Sequence, residues 1–181
     1  MADGWRKSKL SKDGILSLVN HRMLQSRAII QWHSTEGHDR PYEKGAEIIL
    51  FKSFVECGLA VPACDFLRGL LFFWGIQLHH LSHNSILHIS IIVHLCEAFL
   101  GVYPHFNLFK SLFQLVPFPN LKNVARLGGA DLQLRPESVG KYIPYTPNPK
   151  IGDWRSEWFY VDNHSPSLPE RIPGLPQVRY E

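Results

Sequence analysis

The 181-residue sequence predicts an α+β domain, with a mainly helical core around a central hydrophobic helix over about residues 83–100, then a short antiparallel β region and a Pro-rich tail. Three observations lead there. From His83 to Leu100, 11 of 18 residues are apolar and surround most of a helical circumference. After Pro117 the pattern changes from helical spacing to alternation, and Pro166, Pro169, Pro173 and Pro176 crowd the end. The implied organisation is a basic N-terminal segment with a short helix (1–24), a main domain (25–161) and an extended tail (162–181).

Ser11 offers an N-cap for a short helix over Lys12 to Asn20. Ala28 to Trp32 reads as a short strand, and the loop after it holds Gly37, Pro41 and Gly45. Glu47 to Cys57 fits either a strand or a helical period, with helix favoured from Ile49 and ended by Gly58. Pro62 belongs to the first turn of a second helix over Ala63 to Phe73, where Phe66, Leu67, Leu70, Leu71 and Phe73 face the core and Gly75 terminates.

The third helix begins at the N-cap Ser82 and closes at Gly101. At 100° per residue, His83, Ser90, His94 and Glu97 fall within about 60° and form its one narrow polar stripe. That stripe breaks the apolar run below the ~20 residues a bilayer needs, so the stretch reads as a core helix and not a membrane span. A fourth helix is expected over Leu108 to Leu115 with Asn107 as cap. Ala130 to Arg135, Lys141 to Tyr145 and Trp154 to Val161 read as three short strands.

Charge and cysteine content bound the function. The net charge of +3 divides into +3 for 1–44 (8 basic, 5 acidic), −2 for 45–100 (2 and 4) and +2 for 101–181 (9 and 7). None of these segments has the concentrated basic footprint of a dedicated nucleic-acid domain. Cys57, Cys64 and Cys96 are an odd set without close pairing, and the N-terminus lacks an apolar leader, so reduced thiols in the nucleus or cytoplasm are expected.

The run LRGLLFFWGIQLHHLSHNSILHISIIVHLCEAFLGVYPHF, Leu67 to Phe106, resembles the plant "putative gypsy-type transposon" domain, also called a putative gypsy-type transposase domain. GGADLQLRPE at Gly128 to Glu137 and WRSEWFYV at Trp154 to Val161 are similar to its C-terminal portion, and the resemblance spans about residues 25–170. It implies a protein of LTR-retrotransposon origin, with no catalytic residues to carry over. Family members continue into charged, often coiled-coil sequence, so the resemblance implies a short copy.

Retroelement chemistry leaves local traces that this sequence lacks. Asp3-Gly4 and Asp13-Gly14 miss the hydroxyl residue of an aspartic protease, and without a Cys-x-x-Cys pair a zinc knuckle has no ligand set. Phe159-Tyr160-Val161-Asp162-Asn163 comes within one residue of a reverse-transcriptase hairpin, but Asn163 stands where a second metal-binding Asp is required. Asp65, Glu97 and Asp131 are candidate carboxylates, better explained as a helix-start charge, a partner of His94 and a turn residue. His79, His80 and His83 are close enough to share a metal, whereas His88 and His94 lie on different helix faces.

The expected function is a non-enzymatic protein-interaction or structural module, with a partner protein or a second copy as partner and no membrane, cofactor or metal. The alternative is a nucleic-acid-binding module using Arg6, Lys7, Lys9 and Lys12, with Lys122, Arg126 and Arg135 of the C-terminal half.

Overall fold

The structure is a computed structural model that describes residues 4–39, 41, 47–117, 127–143, 152–163 and 168. Its elements are α1 (Lys12–Asn20), β1 (Trp32–Ser34), β2 (Glu47–Phe51), α2 (Lys52–Glu56), α3 (Asp65–Trp74), α4 (His83–His94), α5 (Phe106–Leu112), β3 (Phe113–Pro117), β4 (Ala130–Leu134) and β5 (Trp158–Asp162). The α+β class holds, but the strands do not form one region at the end. β5 is the middle strand of a three-stranded antiparallel sheet ordered β1-β5-β2, while β3 and β4 form a separate hairpin-like pair.

Chain order explains the difference. β5 pairs Val161 with Trp32 and Ile48 and pairs Phe159 with Ser34 and Leu50, so its partners come from the first third of the chain. Trp158, Phe159, Tyr160 and Val161 are all buried, which a middle strand covered on both faces demands. The segment resembling a polymerase hairpin is therefore core, and Asn163 holds the backbone of Leu168 through both amide atoms.

Several boundaries move. Ala28 to Gln31 forms a turn, and the strand starts only at Trp32. Residues 47–51 are strand, because Ile48 to Phe51 are buried against β5, and helix begins at Lys52. Pro62 lies outside α3, whose buried face is Leu67, Leu70, Leu71 and Trp74, leaving Phe73 exposed. The fourth helix starts at Phe106 with His105 as cap, and Phe113 to Pro117 pairs with β4 instead of continuing it. Lys141 to Ile143 is turn and not strand, and Pro144 and Tyr145 lie outside the described residues, as does most of the Pro-rich tail.

The end signals that act locally stand where the residues place them. Ser11 Oγ accepts the Gly14 N–H at 3.2 Å, and Gly75 and Gly101 close their helices at φ +60 and +63. Gly58, at φ +92, ends the turn after α2 where it comes against Ser90 of α4, so a side chain there would meet both strain and contact.

α4 is joined to β4 by a small polar network. Ser82 Oγ accepts the Ser85 N–H at 3.1 Å and donates to Asp131 Oδ1 at 2.6 Å, and Ser85 Oγ accepts the Leu132 N–H at 2.9 Å. Asp131 is thus a strand residue whose carboxylate sits at a helix N-terminus, where negative charge is favoured. Ser82→Ala removes the cap and one Asp131 partner together, and a loss of about 1–2 kcal/mol in urea unfolding is expected.

His83 to Leu100 is continuous helix, long and apolar enough by composition to cross a membrane. Its first three turns are core, with Ile86, Ile89 and Ile92 buried. From Leu95 to Leu100 the helix widens to a π turn, Cys96 stays buried, and Ala98, Phe99 and Leu100 emerge into solvent. The central helix is therefore central only over its N-terminal two thirds.

Candidate interaction surfaces

α3 carries apolar residues on both of its sides. Leu67, Leu70, Leu71 and Trp74 follow helical spacing into the core, which sends the next residues, Phe72 and Phe73, outward. Phe73 packs edge-on against Phe106 of α5 with centroids 4.5 Å apart, and Lys110 Nζ lies 4.7 Å from the Phe73 ring and 5.5 Å from that of Phe106. The chain leaving the π turn adds Phe99, Leu100, Val102 and Tyr103, with Leu108 on α5. Phe99 is 73% exposed and Tyr103 90%.

Seven of the exposed large apolar residues, Phe72, Phe73, Phe99, Leu100, Val102, Tyr103 and Leu108, fall in the stretch of chain from α3 to α5. Helical periodicity placed Phe73, Phe99 and Leu100 in the core, since it counts apolar residues without knowing which face has a neighbour. One local signal was available: Val102 and Tyr103 stand between Gly101 and Pro104, in a turn where no regular face can bury them.

The basic N-terminal segment is docked, not solvated throughout. Trp5 stacks on Phe51 and meets Trp158 edge-on, each at 5.8 Å. Ser8 and Leu10 are buried; the Trp158 carbonyl receives the hydroxyls of Ser8 at 3.0 Å and Thr35 at 2.5 Å, and Trp158 Nε1 donates to the Arg6 carbonyl at 2.9 Å. This anchoring leaves Arg6, Lys7, Lys9 and Lys12 on the outside.

Of these four, Arg6 and Lys9 converge. Arg6 Nη1 lies 2.5 Å from Asp153 Oδ1, and Lys9 Nζ lies 3.7 Å from Asp153 Oδ2. Arg155, its guanidinium 4.8 Å from the Trp154 ring, is the third cation there; its pKa is lowered by burial first and by Arg6 second, with Asp153 opposing. Sequence reasoning missed Asp153 and Arg155, because nothing local announces a contact with residue 6.

The remaining candidates are dispersed. Arg135 donates from Nε to the Lys110 carbonyl at 2.7 Å, so it ties β4 to α5, while Lys122 and Arg126 lie outside the described residues. Asp65 is exposed and paired with Arg68, Glu97 is exposed on the π turn, and Asp131 is held by serine hydroxyls. His94 meets the Phe99 ring at 5.6 Å, and among the described residues no ion pair joins it to Glu97. His79 packs on Trp5, His83 on Trp154 and His88 on Phe113. Among the described residues no three His, Cys, Asp or Glu side chains are grouped to hold a metal.

What the fold and surfaces define is an α+β domain with two exposed surfaces of distinct chemistry, one aromatic and one cationic. Residues 48–117 match the family model described as "Putative gypsy type transposon", a segment that runs from β2 to the end of β3. Over that segment the chain is similar to a gypsy-type transposon domain, and the match contains α3, α4, the π turn and α5. No curated protein and no solved structure matches the chain.

Proposed function

We propose that this domain works without catalysis, as a protein-association module of a retrotransposon-derived protein, and that its partner is a second copy of itself. The supporting observation is the set of exposed large apolar side chains on α3, the π turn, the turn after it and α5, all within the matched segment. Large apolar patches of this kind mark association surfaces, and paired copies are the commonest arrangement of soluble oligomers. Charges of both signs, Glu97 and Lys110, accompany these residues, so a second copy can meet each with its opposite. A uniformly acidic or basic partner would be repelled by one of them.

Sedimentation velocity tests the reading. The wild-type chain is expected to pass from monomer to dimer between about 1 and 100 µM, the range for interfaces near the small end of stable size. Phe99→Asp with Tyr103→Asp is expected to remain monomeric with an unchanged melting curve, because exposed side chains carry little folding energy. A wild-type monomer across the whole range, or a variant that dimerises equally well, contradicts it.

A further inference from the structure

We propose that Arg6, Lys9 and Arg155 form a binding site for the phosphodiester backbone of nucleic acid, with Asp153 holding the cations together when the site is empty. The site is separate from the aromatic surface and does not rest on self-association.

Arg6 and Lys9 converge on the single carboxylate of Asp153, and the Arg155 guanidinium, packed over the Trp154 ring, is near enough for its pKa to be lowered by Arg6, so the cations outnumber the carboxylate there. A structural staple needs only one cation for Asp153, and the Arg6 bond supplies it. Lys9 adds a longer contact while its side chain remains 71% exposed, and Arg6 is 57% exposed, so most of their donors face outward. Arg155 is steadied by the Trp154 ring, which limits the freedom its guanidinium would lose on gripping an oxyanion. A guanidinium fork suits two oxygens of one phosphate.

A repeating anion fits better than a single one. Ser8 and Leu10 are buried while Lys7 and Lys9 are exposed on the docked segment, and exposed Lys12 follows at the start of α1. Cations thus continue along the segment beyond the Asp153 cluster. The anchors beneath, Trp5, Ser8 and Leu10, hold the line in place before any ligand arrives.

The test titrates fluorescein-labelled 20-nucleotide single-stranded and 20-base-pair DNA with the full chain at about 50 and 200 mM salt, with inorganic pyrophosphate as a competitor. Three backbone contacts predict a log–log salt slope of about −2.7 on duplex, which weakens binding about 40-fold across that range. K9Q is expected to reduce the slope by about 0.9, and Arg6→Gln with Lys9→Gln by about twice that. Asp153→Asn is expected to tighten binding about threefold or more by removing the competing charge. Lys141→Gln, an exposed cation elsewhere, serves as the control and leaves affinity unchanged.

K9Q removes only the long contact at the surface, so it remains informative if Arg6 or Asp153 variants loosen the N-terminal segment. Binding of pyrophosphate with none of either DNA, DNA binding that K9Q and the double variant leave untouched, or weaker binding by a folded Asp153→Asn would each overturn the proposal.

Discussion

Trp158→Ala is expected to cost about 3–5 kcal/mol, a large part of the roughly 5–15 kcal/mol that holds a domain of this kind. The side chain is fully buried in the middle strand, in contact with Trp5 and Tyr160, and its indole N–H holds the Arg6 carbonyl. Truncation removes the ring that the N-terminal segment rests on and leaves that carbonyl without its donor, so cavity and hydrogen-bond costs fall together. Trp158→Phe keeps much of the ring and should lose less than half as much. Urea unfolding monitored by far-UV circular dichroism gives both values; a loss below about 1 kcal/mol for the alanine variant would mean that β5 is not the centre of the sheet.

Acid should destabilise the fold through two histidines. Burial pushes the pKa of His80 down to about 4 and that of His88 down to about 4, the Asp131 carboxylate only partly offsetting the latter. His80 Nδ1 also accepts the Gln77 N–H at 3.1 Å, a bond that protonation of that nitrogen would abolish. Between the unfolded value near 6.5 and the folded value near 4, the unfolded chain binds protons that the native one does not. Stability is therefore full above about pH 6.5 and falls as the pH drops towards 4. Each histidine accounts for a loss of about 2 kcal/mol between pH 7.5 and pH 5. Urea midpoints at the two pH values measure the sum, and His80→Asn or His88→Gln should each remove about half of the difference. An unchanged pH dependence in both variants would assign it to other groups.

What could be read from the sequence was what local chemistry decides. Ser11 and Ser82 announce helix starts because a hydroxyl satisfies amides within three residues, and Gly75 and Gly101 announce ends because the left-handed residue sits beside the last turn. The core face of α3 followed from spacing, apart from Phe73. The partners of β5 were hidden, since antiparallel pairing between Trp158 to Asp162 and strands from the first third of the chain leaves no periodic trace. The same limit hid Asp153 and Arg155 from Arg6, and it made Asp131 look like a turn residue when it lies opposite Val116 in a strand pair.

The surfaces divide in the same way. Arg6, Lys7, Lys9 and Lys12 are exposed, as charge alone suggests, but only their docking decides that Arg6 and Lys9 meet a third cation. Phe99 and Leu100 looked like core, because a helix that widens and leaves the domain has the same apolar pattern as one that stays inside it. Composition could not tell which turn of the helix has neighbours within the chain.

Hydrogen–deuterium exchange of the intact chain at about 1 and 100 µM addresses the self-association claim where it is made, residue by residue. Slower exchange at the higher concentration is predicted for the π turn, the Gly101 to His105 connection and the exposed side of α3 and α5, with β1, β2 and β5 unaffected. Identical exchange at both concentrations, or protection gained at the N-terminal segment instead, would contradict the account.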